Sequence, residues 1–269
     1  MASRIIRVGF YQFHPRFGET GANLEKVIDA LNGVEADILV LPELAFTGYF
    51  FKDRSEAISL AEDPASSPTL NSLTALCRRN NFHLVTGFAE KEGSKVYNSA
   101  FLIGPEGLVS TYRKLHLFNT EKDCFNPGNL PLSVIDVRGV KVGMMVCFDW
   151  VFSEVARVLA LQGAELLCHP SNLVLPYCQQ AMTTRCLENR VFAVTANRIG
   201  TEKRPHGELT FTGRSQVTAP DGSILHRARP DEEVLYITDI DIEKARDKNL
   251  TGKNHLFQDR RPEFYKDLC

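Results

Sequence analysis

A layered α/β fold, two β-sheets face to face with helices on the outside, is what this sequence predicts, and two observations predict it. Apolar, β-branched runs alternate along the chain with segments of helical periodicity. A strand–helix–strand unit also occurs twice. Arg7, Val8 and Gly9 open one that ends in Ala36–Leu39 and then Pro42, Glu43, Leu44; Lys141, Val142 and Gly143 open another that ends in Ala164–Leu167 and then Pro170, Ser171, Asn172. Each is a candidate right-handed βαβ crossover. Such units are common and look alike, so the echo is either a true duplication or a coincidence. A pseudo-two-fold relation would stack helix, sheet, sheet, helix, and would gather strand carboxyl ends from both halves around one crevice.

The elements follow in order. Ile5–Phe13 alternates as a strand, and Asn23–Leu31 repeats at helical spacing until Asn32 and Gly33 break it. Asp37–Leu41 is a short continuous apolar run, as expected of a strand covered on both faces. Helices are expected over Arg54–Ala61 and Thr69–Arg79, then strands over Phe82–Ala89, Val96–Ile103 and Leu108–Arg113, the last two joined by the turn Gly104–Gly107. The second half opens with a strand at Leu132–Val137, a turn at Gly139 and an apolar strand running into Cys147. A helix at about Ser153–Leu161, the apolar run Glu165–His169, a helix from about Gln179 to Arg190 and strands at Phe192–Asn197, Ser215–Ala219, Ile224–Arg227 and Val234–Ile240 complete it. The tail, residues 254–269, is charged and aromatic without periodicity and is expected to pack on a partner subunit.

A chain of 269 residues with 43% hydrophobic content can bury a large core. Its formal net charge of -2 leaves no basic excess to neutralise phosphates, so neither nucleic acid nor an anionic membrane is an expected partner. No apolar run reaches secretory or membrane-spanning length, and a soluble, cytoplasmic protein is expected. The seven cysteines are odd in number and widely spread, with no C-x-x-C pair, which argues against a disulfide framework and a four-cysteine zinc site. Cys168, His169 and Cys178 match no zinc spacing either, and no metal or cofactor is expected.

Cys147 sits where its strand turns into a helix. A free cysteine in an apolar run is by default a small buried hydrophobe. At a strand's carboxyl end and ahead of a helix, however, positive potential is expected to favour its thiolate. Two other chemically capable residues share this placement: Glu43 follows the apolar run DILVL, and Lys114 follows another strand, with Glu121 seven positions on. One such residue would be unremarkable; acid, cation and thiol at three equivalent strand ends are not. A Cys–His pair from Cys168 and His169 is the weaker alternative, and His116, two residues past Lys114, suits packing or support better than catalysis.

The segments PELAFTGY, YRKLHLF and VCFDWVFSE, with GAELLCHPSN behind them, resemble the Glu, Lys, Cys signature of the nitrilase superfamily of carbon-nitrogen hydrolases. The similarity runs from Val8 to the DRRPEFY tail, with the motifs in order. It implies a single domain over residues 1–269, a four-layer α-β-β-α sandwich and dimerisation to eight layers. It also implies Cys147 as nucleophile, Glu43 as general base, Lys114 as catalytic cation and Glu121 as the second glutamate that positions substrate and Glu43. Ser153 departs from the pattern, standing where many members have proline.

An amide carbon is a poor electrophile, so its hydrolysis needs an activated nucleophile. Glu43 can take the thiol proton; Lys114 and the backbone N–H of Phe148 can hold the developing oxyanion. Tyr49, Trp150, Asn172, Leu173 and Tyr177, just beyond the catalytic positions, are expected to line a pocket for a small amide body. Members that cleave N-carbamoyl amino acids often carry arginine soon after the cysteine, where this chain has Asp149 and Trp150. A carboxylate substrate is therefore disfavoured unless Arg185 or Arg198 reaches in. The expected activity is hydrolysis of a small non-peptide amide to acid and ammonia. The alternatives are an N-carbamoyl-amine hydrolase, which CFDWVFSE and TEKDCFNPG also resemble, then a nitrilase, and last a non-catalytic scaffold.

Overall fold

Period-two burial along the strands decides the layering seen in the computed structural model, which describes residues 3–268. In the chain's first half lie β1 (Ile5–Gln12), β2 (Ile38–Val40), β3 (His83–Glu92), β4 (Lys95–Gly104) and β5 (Gly107–Arg113). Then come β6 (Val134–Val137), β7 (Val140–Met144), β8 (Leu166–Pro170) and β9 (Phe192–Ala196). A separate hairpin, β10 (Thr201–Arg204) and β11 (Gly207–Thr210), precedes β12 (Gln216–Thr218), β13 (Ile224–Arg227) and β14 (Val234–Asp241). A small ladder of β15 (Asn249–Thr251) and β16 (Asn254–His255) lies near the carboxyl end.

Two six-stranded sheets result, ordered β14-β1-β2-β3-β4-β5 and β13-β12-β9-β8-β7-β6. Each has an antiparallel edge strand, three parallel strands and two further antiparallel strands: β14, then β1-β2-β3, then β4 and β5 in one; β6, then β7-β8-β9, then β12 and β13 in the other. The echo read in the sequence is thus matched strand for strand by topology. Edge strand β14 comes from the far end of the chain, which closes the first sheet by its last long strand.

In β2 the period-two rule is plain. Ile38 and Val40 join the core shared by the two sheets, with Val8, Phe10, Met144 and Leu167, whereas Leu39 packs outward with Leu73 and Leu84. Burial on both faces is why the segment carries no polar residue. Helices α1 (Thr20–Leu31), α2 (Arg54–Leu60) and α3 (Pro68–Asn80) follow the first two strands; Val27 and Leu31 of α1 and Leu73, Leu76 and Cys77 of α3 cover the first sheet's outer face. After the single turn α4 (Glu121–Cys124), α5 (Ser153–Leu161) and α6 (Cys178–Asn189) contribute Val155, Leu159, Met182 and Cys186 against the second sheet, and a last turn, α7 (Glu243–Arg246), follows β14. The four-layer α-β-β-α sandwich is therefore as expected.

Differences from the sequence reading are local. Helix α1 begins at Thr20, three residues before its apolar repeat, and the strand expected to reach Cys147 ends at Met144. The hairpin β10–β11, with its charged and Pro-His-Gly sequence, carries no hydrophobic alternation from which to read it. The tail forms two 3-10 turns, Pro262–Phe264 and Lys266–Leu268, and leaves Phe264 and Leu268 exposed; its final residue, Cys269, lies outside the described residues. No helix among the described residues is long and apolar enough to cross a membrane.

Candidate active site

Three strand ends deliver three side chains to one dry cleft. Past β2 the chain reaches Glu43 through Leu41 and Pro42, held against β3 by the Gly87 N–H, which donates to the Pro42 carbonyl at 3.1 Å. Only glycine fits at 87, because a Cβ there would stand 2.3 Å from the Glu43 Cα. Past β5, the Lys114 N–H donates to the Asn98 carbonyl at 2.8 Å and the Lys114 carbonyl accepts from Gly128 at 2.9 Å. Gly128 is likewise obligatory, since its Cβ would meet the Arg113 carbonyl oxygen at 2.1 Å.

The Lys114 ammonium lies between two carboxylates, 2.7 Å from Glu43 Oε1 and 2.7 Å from Glu121 Oε1. Asn98 Nδ2 donates to the same Glu43 oxygen at 2.6 Å, and the Tyr49 hydroxyl donates to Glu121 Oε1 at 2.6 Å. The other Glu43 oxygen, Oε2, is buried and has no hydrogen-bond partner among the described residues. Glu43 is 0% exposed, Lys114 1% and Cys147 5%, so water competes little for these groups.

Cys147 is displayed on a sharp turn rather than on a strand. It opens the 3-10 turn Cys147–Val151 with φ 41°, a left-handed conformation that costs a side-chain-bearing residue of order 1 kcal/mol or more and persists only when its surroundings impose it. His169 supplies part of that imposition: its Nε2–H donates to the Cys147 carbonyl at 2.9 Å, and its Nδ1 accepts from Thr195 Oγ1 at 3.2 Å. Burial pushes the His169 pKa down to about 4, which keeps the ring neutral and this tautomer in place. The Asn172 side chain donates to the Glu43 carbonyl at 2.8 Å, and the Asn172 backbone exerts a lowering effect on the Cys147 thiol, so one residue borders both groups.

The electrostatics correct one expectation. Burial and the adjacent Glu43 push the Cys147 thiol up, against the lowering effect of Lys114, instead of down as strand end and helix suggested. The helix that was to lend positive potential, α5, starts six residues later at Ser153, too far for a dipole effect confined to a terminal turn. Burial alone would lower the Lys114 pKa, but Glu121 and Glu43 reverse this and raise it, so the cation is secure. Burial raises the Glu121 carboxyl, partly offset by Lys114.

The carbon-nitrogen hydrolase family matches residues 7–249. This chain belongs to that family, the nitrilase superfamily. Over 264 residues it is 41% identical to a nitrilase of Pyrococcus abyssi (strain GE5 / Orsay), covering 97% of this chain and 99% of the relative. It is 33% identical to an (R)-stereoselective amidase of a Pseudomonas species, covering 90% and 87%. Among solved structures, a carbon-nitrogen hydrolase from Helicobacter pylori G27 superposes with TM-score 0.89 at 26% identity, covering 98% of each chain.

In this hydrolase the other residues singled out from sequence differ widely in burial. Phe148 and Trp150 are half-buried on the Cys147 turn, and Leu173 is buried, its N–H donating to Asn197 Oδ1 at 2.9 Å. Tyr49 is buried and spends its hydroxyl on Glu121, whereas Tyr177 is 63% exposed ahead of α6. Arg185 is committed to Glu188 Oε1 at 2.9 Å and to the Trp150 carbonyl at 3.3 Å; Arg198 is buried against Glu202, donates to the Pro15 carbonyl and lies over the Phe211 ring. Neither arginine is left to receive a substrate carboxylate. No group of three or more His, Cys, Asp or Glu side chains able to hold a metal ion occurs among the described residues. Sequence reading missed Asn98, and weighed His169 only as a partner of Cys168 and not as a support of the Cys147 turn. A signal was present: each is a polar residue in a buried stretch of strand, where a buried polar group needs a partner.

Proposed function

We propose that this carbon-nitrogen hydrolase cleaves a small, non-peptide amide to acid and ammonia through a thioester on Cys147. The observation that carries the reading is the Lys114 ammonium 2.7 Å from each of Glu43 and Glu121, in one buried charge environment with the Cys147 thiol. Burial and the adjacent Glu43 hold the proton on the Cys147 thiol, so it has to move as the substrate arrives, and Glu43, with its uncommitted oxygen, is the acceptor.

The sulfur then bonds to the carbonyl carbon, and the charge that grows on oxygen is met by Lys114 and the Phe148 N–H. Glu43 returns the proton to nitrogen, the C–N bond breaks and ammonia leaves. The same carboxylate next takes a proton from water, whose oxygen attacks the thioester, and gives it back to sulfur as the acid departs. Glu121, fixed by Tyr49, holds Lys114 in place throughout. The committed Arg185 and Arg198 favour an acyl part without a carboxylate.

The test is ammonia release across a panel of aliphatic amides, ω-amides and carbamoyl amines, with wild type beside Cys147→Ala. Retained activity in Cys147→Ala would end the thioester scheme. The N-carbamoyl-amine reading separates on products, because it alone yields carbon dioxide with ammonia. We also propose that the protein acts in the cytoplasm as a homodimer; the exposed Val158 and Leu161 of α5 and Leu187 of α6 support burial against a second copy, and sedimentation equilibrium tests it.

A further inference from the structure

Asp149 is 0% exposed and carries a carboxylate that takes no part in the chemistry above. A buried carboxylate costs several kcal/mol unless it is hydrogen-bonded. This one is fully engaged. Oδ2 accepts from the Tyr112 hydroxyl at 2.7 Å and the Val146 N–H at 2.9 Å; Oδ1 accepts from His116 Nδ1 at 2.8 Å and the His116 N–H at 3.3 Å.

The identity of those donors matters more than their number. Tyr112 and His116 lie two residues before and two residues after Lys114, while Val146 immediately precedes Cys147 and Asp149 is two residues beyond it. The Tyr112 oxygen also accepts from the Leu115 N–H at 3.3 Å, and the His116 ring stacks on Phe152 at 3.6 Å. One carboxylate thus fastens the segment that carries the cation to the turn that carries the nucleophile. Lys114 and Cys147 come from different sheets and have no covalent reason to keep register.

We propose that Asp149 is a positioning residue that sets Lys114 against Cys147, so that the ammonium meets the oxygen of the substrate carbonyl as the sulfur attacks its carbon. The inference rests on the Cys147 reading above. It acts on the transition state rather than on substrate affinity, because the oxyanion appears only after attack.

The decisive variants are Asp149→Asn, Tyr112→Phe, His116→Leu and His116→Asn, assayed with whichever amide the panel identifies. Asp149→Asn cannot accept at all four donors, and a displacement near 1 Å costs up to about a hundredfold. Its kcat is expected to fall at least about tenfold with KM changed less than about threefold. Tyr112→Phe and His116→Leu should move kcat in the same direction by less. His116→Asn, which returns a donor close to the position of Nδ1, should recover most of the His116→Leu loss. A role confined to folding would lower Tm and leave kcat, KM and the rescue unmoved. A folded Asp149→Asn with wild-type kcat overturns the proposal; should that variant fail to fold, equal kcat in His116→Leu and His116→Asn overturns it. Activity in Cys147→Ala would instead remove the underlying mechanism, whatever the Asp149 variants do.

Discussion

Arg113 and Lys114 are neighbours at the end of β5, and each is a buried cation answering two glutamates. Arg113 spreads its guanidinium over both, Nε reaching the two Glu90 oxygens at 3.1 and 3.0 Å and Nη1 and Nη2 reaching Glu92 at 3.2 and 2.8 Å. Asn129 accepts from Nη1 at 2.8 Å and the Tyr97 ring lies 3.9 Å below. Lys114 instead touches a single oxygen of Glu43 and a single oxygen of Glu121, leaving Glu43 Oε2 without a partner among the described residues. A planar fork saturates its carboxylates and becomes a fastening; a point charge on a flexible stem leaves acceptor capacity over. The charges are alike in the two clusters, and the difference in valence leaves acceptor capacity over in one alone, which on the function proposed above is where the proton moves.

The comparison can be broken or sharpened by substitution, beginning with the largest effect. Cys147→Ala is expected to abolish ammonia release while thermal unfolding stays almost unchanged. Lys114→Met should fold yet lose at least about a hundredfold in kcat, the cost of one oxyanion donor. Arg113→Met is the mirror image: kcat within a few-fold of wild type, but about 3 kcal/mol lost in urea unfolding, because Glu90 is left buried without its cation. Equal kcat losses at 113 and 114 would erase the distinction drawn here. Tyr49→Phe, which frees Glu121 Oε1 from one donor, is expected to lower kcat by about tenfold or less.

A separate effect, on acid stability, tests His169 as the clasp on Cys147. An unfolded histidine binds its proton near its ordinary pKa of 6.5, whereas the folded one resists until about 4. Between those values the unfolded chain holds more protons, so stability is full above pH 6.5 and falls as pH drops through about 4, by about 3 kcal/mol in all. In His169→Asn that acid limb should flatten in urea titrations taken at pH 4.5 and 7. An unchanged limb would show the ring to be no seat of the effect.

What the sequence disclosed follows from which forces are local. Strand and helix periodicity gave the layers, because burying alternate faces of β2 or one face of α3 leaves a direct trace in residue order. The three candidates were legible for a related reason, each following a strand-like run. The protonation of Cys147 was not, since it depends on Glu43, about a hundred positions away, and on how much water the closed cleft admits. Asp149 was recognisable as an acid with backbone partners, but three of its four donors come from the Lys114 segment, and no periodicity announces a tie between two sheets.

The raised proton affinity of the Cys147 sulfur has a consequence away from catalysis. Peroxide and other oxidants attack thiolates, not thiols. Between substrates the Cys147 thiol is therefore sheltered, and on the function proposed above damage should accumulate with turnover rather than with time spent idle.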